Sequence, residues 1–403
     1  MACDFDIIIS GGGLAGLTAS CLFGSAGYRV LCVDPAPPVT QRDADGSDLR
    51  STALLQPAIP VLERAGLWQQ LASFATPLQT MRIIDANGVQ PSPRVMREFE
   101  ASDISDMPFG WNVPNWLFKR ELADRIAHLP SVELRTGVTT ERIRPRLNQS
   151  VVWLSDGTRP GADLVIAADG RNSRLRRAAG IDVTTRHYGQ KALAFAVTHS
   201  LPHNNVSTEI HLKGGPFTTV PLPDYDGQPS SAIVWMERAG VAQELSNLSQ
   251  SDLETAMLDR SCGILGEFKL ASRVSIWPII SQIAHRFSAR RLALVAEAAH
   301  VVPPIGAQGL NMSLADIDSL FDLSQRHGLG SQTALDAYAT HRQRDARIRV
   351  SGIDMLNRVS MADNTAITYL RSLGIGLIHD TAPLRKSLMS LGLGGSLGIG
   401  GTR

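Results

Sequence analysis

The segment from Phe5 to Asp34 constrains the fold more than any other part of the chain. It reads as an apolar strand over Phe5–Ser10, a glycine-rich turn, a helix over Leu14–Ala26 that Gly27 is placed to end, and a second apolar strand over Arg29–Val33. The turn, Gly11-Gly12-Gly13-Leu14-Ala15-Gly16, fits G-x-G-x-x-G between a strand and a helix. Gly11 permits the tight turn, Gly13 lets the backbone approach a pyrophosphate, and Gly16 lets the helix pack closely on the strand. The N-terminus of the helix, at Leu14 and Ala15, offers unpaired N–H groups and a partial positive charge to phosphate oxygens. Asp34 follows the second strand, where its carboxylate can accept both hydroxyls of a ribose. Strand, turn, helix, strand and acid in this order predict dinucleotide binding. By themselves they do not separate FAD from NAD.

The chain has 403 residues, a length that suggests two to three domains. Its apolar fraction of 43% and charged fraction of 19% are those of a folded globular protein, so a large core is expected and wholesale disorder is not. The formal charge of +1 gives no basis for a polyanionic partner such as nucleic acid. The N-terminus, MACDFDIIIS, is acidic and does not read as a secretory signal. No uncharged apolar run reaches the roughly 18 residues that suggest a spanning helix. Cys3, Cys21, Cys32 and Cys262 have no CxxC spacing and read as reduced thiols of a cytoplasmic protein.

Beyond the first unit no internal repeat is visible. A loop rich in Pro and Asp runs from Pro35 to Asp48, and Ser51–Leu71 reads as helix, with Pro57 and Pro60 near its start or kinking it. Met81–Val89 reads as a strand and turn, Trp116–Leu129 as a helix and Val132–Arg135 as a short strand. Val151–Leu154 and Leu164–Ala168, with a turn at Asp156-Gly157, read as a strand pair. Residues 187–276 change character: short alternating strands, turn signals at Gly214-Gly215 and Asp226-Gly227, and a helix near 251–260 predict an antiparallel sheet. Arg291–Val295 reads as a buried parallel strand, Met312–Leu323 as a helix, and the region from about 333 as helical up to a Gly-rich tail. The expected fold is α/β. A Rossmann-like dinucleotide domain (1–80, 106–186 and 277–332) carries an inserted antiparallel-sheet substrate domain (81–105 and 187–276), followed by a C-terminal helical region (333–403).

Two further segments carry more information: ADLVIAADGRNSRLR (162–176) and RLALVAEAAHVVPPIGAQGLNMSL (291–314). With them, and with DLRSTALLQPAIPVLERAGLW (48–68), GGPFTTVPLP (214–223) followed by VW (234–235), AYATHRQRDAR (337–347) and RSLGIGLIHDTAPLRKSLM (371–389), the chain resembles the class A FAD-dependent aromatic hydroxylases over nearly its whole length. Within them it is most similar to the ubiquinone-biosynthesis hydroxylases. The resemblance implies FAD as cofactor and assigns roles by position. Asp169-Gly170 match the family's DG motif on the pyrophosphate side of FAD, also implicated in NAD(P)H use. Arg50 matches an arginine that touches the flavin nucleotide, Asn115 a polar side chain that reaches FAD, and Val138 a backbone contact to adenine. Pro304, Gly306, Gly309, Leu310 and Asn311 match the loop that passes the isoalloxazine ring, with Pro304 on the flavin face.

That loop has a physical reading of its own. It runs straight into a helix, so the N–H groups of Leu310 and Asn311 point at whatever lies before it, and such donors stabilise an anionic reduced flavin without a lysine. The sequence departs from the family at two places. Ala296-Glu297 stands where Gly-Asp is usual, and Ala307 where some relatives have glycine. Glu297 keeps the charge that accepts from the flavin's ribityl chain but is one methylene longer, so weaker retention of FAD is expected.

The resemblance implies that NAD(P)H reduces FAD, that reduced FAD and O2 give a C4a-hydroperoxide, and that an electron-rich phenolic ring takes its distal oxygen. The flavin carries this chemistry, so no catalytic side chain is assigned; no metal site is expected either, since the histidines form no HExxH or HxH pattern. No second fingerprint is present, so a nicotinamide cofactor is expected to bind transiently. The expected substrate is a polyprenylated phenol lying between the flavin face and the antiparallel sheet, with Pro221, Leu222 and Trp235 as its walls. A soluble aromatic substrate, and a weakly active FAD-binding subunit of a quinone-synthesis complex, stand as alternatives. Such a complex, an oligomer, and peripheral contact of Leu373–Leu391, with Arg385 and Lys386, on the inner face of the membrane are further expectations.

Overall fold

In a computed structural model describing residues 3–88, 91–361, 374 and 376–393, the first unit forms as its sequence requires. The chain begins β1 (Phe5–Ser10), α1 (Leu14–Ser25), β2 (Val30–Asp34), β3 (Ser51–Leu55), α2 (Ile59–Arg64), α3 (Trp68–Ala72), β4 (Thr76–Leu78) and β5 (Thr80–Asn87). It continues with β6 (Ser92–Glu100), β7 (Gly110–Pro114), α4 (Asn115–Ala127), β8 (Val132–Thr136), β9 (Thr140–Pro145), β10 (Ser150–Leu154), β11 (Gly161–Ala167) and α5 (Arg174–Ala178). The middle of the chain supplies β12 (Val183–His199), β13 (Val206–Leu212), β14 (Gly215–Tyr225), β15 (Gln228–Arg238), α6 (Ala239–Ser246) and α7 (Gln250–Arg260). Last come β16 (Phe268–Leu270), β17 (Ser275–Ala284), β18 (Ser288–Ala289), β19 (Leu292–Leu294), β20 (His300–Val301), α8 (Gln308–His327), α9 (Gln332–Met361) and α10 (Ala382–Leu393).

The first sheet has the order β18-β19-β11-β1-β2-β8, with β10 and β9 added beside β11. From β19 to β8 every pair is parallel. Its central strand β1 places Ile7, Ile8 and Ile9 wholly out of solvent, because helices cover both faces and an unbroken apolar run is what such a strand requires. Helix α1 is apolar all round and ten of its residues are buried, so it is a core helix rather than a surface one. Asp316 of α8 and Tyr338 of α9 are likewise fully enclosed in this half of the molecule.

The second sheet runs β20-β17-β12-β15-β14-β13-β5-β6, with β16 on β12. It is antiparallel except where β5 meets β13, which pair in parallel. The exception arises because β5 enters the sheet from a distant, earlier part of the chain rather than through a hairpin. One face of this sheet is covered by α6 and α7, which enclose Phe217, Trp235, Leu193, Phe195, Leu253 and Met257. The expected boundaries at 186/187 and 276/277 fall within β12 and β17, each of which runs unbroken across them.

A third sheet, β3-β7-β4, corrects the reading of Ser51–Leu71 as helix from its first residue. Ser51–Leu55 is a strand paired antiparallel with Gly110–Pro114, and α2 begins only at Ile59. Val89, residues 362–373 and most of the Gly-rich tail lie outside the described residues, so the C-terminal helical region is described only in part. Among the described residues no helix is long and apolar enough to cross a membrane. Cys21 and Cys32 are buried, with burial pushing both thiols up to about 12; Cys3 and Cys262 are part-buried, and all four are free.

Candidate functional site

The fingerprint turn is held from three sides. Gly11 has φ +109°, its N–H donates to the Val33 carbonyl, and a Cβ there would lie 2.3 Å from the Ala168 oxygen. At Gly16 a Cβ would stand 1.8 Å from the Gly11 oxygen, so α1 reaches the turn only with glycine there. Since Ala168 adjoins Asp169-Gly170, the fingerprint and the DG segment are in contact. Asp34 accepts from the Gly12 N–H at 2.6 Å and from the Ala36 N–H at 2.9 Å, and retains lone pairs on both oxygens. Val138 is buried beside it, its N–H donating to the Asp34 carbonyl.

Two features leave room for an anion and a nucleotide, and a third offers a buried acceptor beside them. Gly13 is exposed, and a Cβ built on it would meet nothing within 4 Å. Helix α1 has no side-chain cap and no acid in its first turn, so among the described residues no side chain receives the N–H groups at Leu14 and Ala15. Asp169 caps α5 through one oxygen, which accepts from the Arg174 and Leu175 N–H groups; its other oxygen is buried without a partner among the described residues.

Arg50 forms a two-point ion pair with Asp48 (2.7 Å for both contacts) and lies over the ring of Trp277 from the second sheet. Asp48 also accepts from Asn115 Nδ2 at 2.9 Å, and Asn115 Oδ1 accepts from Thr52. Burial raises the Asp48 carboxyl, but the Arg50 and Asn115 hydrogen bonds and the Arg50 charge outweigh it and hold the group below the usual carboxylate range. The Asp48 hydrogen bond raises Arg50 in turn, with Glu297 a smaller contributor through its charge. Arg42 reaches the Ala271 carbonyl and stacks on Tyr225, while Arg273 reaches the carbonyls of Ala44 and Ser47. The acidic loop is thus strapped to the second sheet. Asp48, Thr52, Trp277, Arg42 and Arg273 were not singled out from the sequence. Asp48 alone carried a local signal, two residues before Arg50.

The segment after β19 crosses from one sheet to the other. Ala296–Ala298 form one 3-10 turn with Glu297 exposed; His300 and Val301 then pair with Ile283 and Gln282 of β17. Pro304, Gly306 and Gly309 line the exposed side of the loop, and Leu310 is half-buried in the first turn of α8. That helix begins at Gln308, four residues before the expected Met312, and has no side-chain cap and no acid in its first turn. Asn311 is a clasp: its Nδ2 donates to the carbonyls of Ala53 and Ala307, and its Oδ1 accepts from the Leu55 N–H. Both alanines at which the sequence departs from the family, Ala296 and Ala307, have φ +56°.

Ile305 of this loop packs with Ala192, Met236 and Ile279 on the face of the second sheet opposite α6 and α7. Strand alternation places Val220, Leu222, Ala196 and Ala232 on that same face. Leu222 therefore shares the sheet face onto which Ile305 packs. Trp235 does not: it packs on Phe217 at 5.2 Å between centroids, beneath the two helices. Pro221 is in register with Ser231 and shares Trp235's parity, and its carbonyl accepts from Asn112. Period-two geometry puts both on the face opposite Leu222, so the three residues do not form one wall.

A model of the FAD binding domain family matches residues 4–351. The chain belongs to this family. Ubiquinone hydroxylase UbiL of Rhodospirillum rubrum is 31% identical over 394 residues, covering 96% of this chain and 89% of the relative. The 3-demethoxyubiquinol 3-hydroxylase of Escherichia coli is 24% identical over 398 residues, covering 96% and 98%. Among solved structures, p-nitrophenol 4-monooxygenase PnpA of Pseudomonas putida superposes with a TM-score of 0.79 at 18% identity, covering 98% and 99% of the two chains, a likeness of fold. The protein is an FAD-dependent aromatic-ring monooxygenase, using NAD(P)H and O2 as is usual for its class. The residues fit FAD: the space before Gly13, the uncapped start of α1 and the Asp169 oxygen that has no partner among the described residues lie along one edge of the parallel sheet.

Proposed function

We propose that this protein hydroxylates the aromatic ring of a polyprenylated phenol in ubiquinone biosynthesis. The observation that carries the reading is the apolar strip of Val220, Leu222 and Ala232 on the sheet face onto which Ile305 packs. A strip of this chemistry suits a prenyl tail, and the 31% identity to a ubiquinone hydroxylase across both chains supports the same substrate class. FAD, when bound, supplies O2 activation and oxygen transfer to an electron-rich ring.

The side chains bind, orient and exclude water. Gly11, Gly13, Gly16 and the N–H groups at Leu14 and Ala15 hold the pyrophosphate, and Asp34 takes the ribose hydroxyls. Val138 borders the adenine. Asp169 and Gly170 close the pyrophosphate side, and Arg50 and Asn115, locked together by Asp48, bound the nucleotide from the acidic loop. Glu297, exposed on its turn, would accept from the ribityl chain. Pro304, Gly306, Gly309, Leu310 and Asn311 would line the flavin ring, and the uncapped start of α8 would supply N–H donors that stabilise its reduced, anionic form. Leu222 and its neighbours keep water from the reacting ring.

Loss of the gene product, followed by mass spectrometry of the quinone pool, tests the reading. A prenylated precursor that lacks one ring hydroxyl is expected to accumulate. Unchanged ubiquinone with no accumulating precursor would count against it.

A further inference from the structure

The Ala296–Ala298 turn, which carries Glu297, is gripped at both ends by buried charged side chains. At its start, the Ala296 N–H donates to Asp316 Oδ2 at 3.1 Å. Asp316 is wholly buried on α8; the same Oδ2 lies 2.6 Å from His300 Nε2, and its Oδ1 accepts from Arg342 Nε of α9 at 2.8 Å. At the other end, the Ala298 carbonyl accepts from Arg176 Nη1 at 2.8 Å. Arg176 is 4% exposed, follows the DG segment, and also donates to the Arg171 carbonyl, which Gln282 of β17 shares.

Neither group is an economical way to stabilise a core. The Arg176 guanidinium donates to carbonyls rather than to a carboxylate, its Nε is buried without a partner among the described residues, and burial pushes it below its ordinary value. Asp316 directs a lone pair at a single backbone N–H, that of the residue held at φ +56°, where an alanine resists the conformation. A carboxylate on the first N–H and a guanidinium on the last C=O fix the turn at both ends with charge-assisted bonds.

We infer that Asp316 and Arg176 are positioning residues that hold the Ala296–Ala298 turn so that Glu297 meets FAD. This rests on the reading of Glu297 as a cofactor contact and deepens it: affinity for FAD is set partly by two residues that do not touch it. Their removal lets Ala296 leave the left-handed region and carries Glu297 away. Glycine at 296 has no such tendency, so it should compensate for the loss of Asp316.

The test is titration of apo protein with FAD, read by flavin fluorescence and by the visible circular dichroism of the bound flavin. Asp316→Asn is expected to weaken FAD about tenfold, a change of about 1.4 kcal/mol, and Ala296→Gly in that background to recover most of it. Arg176→Lys, the milder variant, is expected to weaken FAD several-fold with an altered flavin dichroism and an unchanged thermal midpoint of the apo form; it carries the test alone if Asp316→Asn does not fold. Equal losses from Asp316→Asn with and without Ala296→Gly would overturn the inference, as would wild-type FAD affinity in Arg176→Lys. Wild-type protein that binds FAD but hydroxylates no prenylated phenol would instead fail the proposed function and leave the two clamps standing.

Discussion

Ala296 and Ala307 occupy backbone conformations that favour glycine, both at φ +56° and both beside the proposed flavin loop. An L residue in the left-handed region costs about 1–2 kcal/mol, offset in part by the extra freedom glycine has when unfolded. Replacing either alanine by glycine is therefore expected to raise stability by roughly 0.5–1 kcal/mol, measurable as a higher urea midpoint at unchanged slope. A lower midpoint would mean that the methyl groups contribute packing beyond their backbone cost. Ala296→Gly with Glu297→Asp should also bind FAD more tightly than the wild type, by titration of the apo protein; equal or weaker binding would refute the role given to Glu297. The sequence showed the departures as missing glycines, but only φ explains their cost. Asp48 adds a dependence on pH. Its carboxyl is held below the usual range, so its contribution is fully present above the unfolded value of about 3.9 and is lost as pH falls through the lower folded value. Asp48→Asn should flatten the fall of stability below about pH 4 in urea titrations, and an unaltered slope would remove Asp48 from the account.

At the scale of elements, Asn311 ties the start of α8 to β3 by accepting from Leu55 and donating to Ala53. Asn311→Ala leaves those part-buried backbone groups without their side-chain partner, at about 1–3 kcal/mol, so a thermal midpoint lowered by several degrees and weaker FAD binding are expected together. Loss of stability alone would make Asn311 a clasp with no influence on the site. This contact also explains why Ser51–Leu55 was hard to read. The apolar residues of STALLQPAIPVLERAGLW suit either period, and what makes the first five a strand is distant: β7 on one side and the Asn311 side chain from α8 on the other. The units built from local signals were legible: β1, the fingerprint turn, α1 and β2 stand where their pattern put them. Arg176 closes the quoted DG stretch, but neither it nor Asp316 had a signal for this role, because what marks them is the pairing of α5 and α8 residues with the Ala296–Ala298 turn.

For the whole molecule, function depends on two sheets joined across one loop. The segment from Leu292 to Gln308 leaves the parallel sheet at β19, pairs in the second sheet at β20 and enters α8. The order of motifs along the chain was enough to expect two kinds of sheet, but not that this segment pairs in the second one through β20, nor which face of that sheet meets the loop. That depends on α6, Ala239–Ser246, a helix not expected from the sequence; with α7 it covers the Trp235 face and leaves the Leu222 face toward Ile305. The two residues therefore separate experimentally. Trp235→Ala removes a core side chain and should cost about 3–5 kcal/mol of stability, with KM unchanged in the protein that still folds. Leu222→Trp should leave FAD affinity as it is and raise KM for a long-tailed phenol at least several-fold. The opposite pattern in steady-state kinetics and urea unfolding would reverse the assignment of the two faces.

The most direct measurement of the central claim is to supply the FAD-loaded protein with NAD(P)H, isotopically labelled O2 and a prenylated phenol, then to locate the label by mass spectrometry. One labelled oxygen atom is predicted in the aromatic ring of the product, with NAD(P)H oxidation that rises with the phenol. Oxidation of NAD(P)H that ignores the phenol, with no label entering the ring, would contradict it.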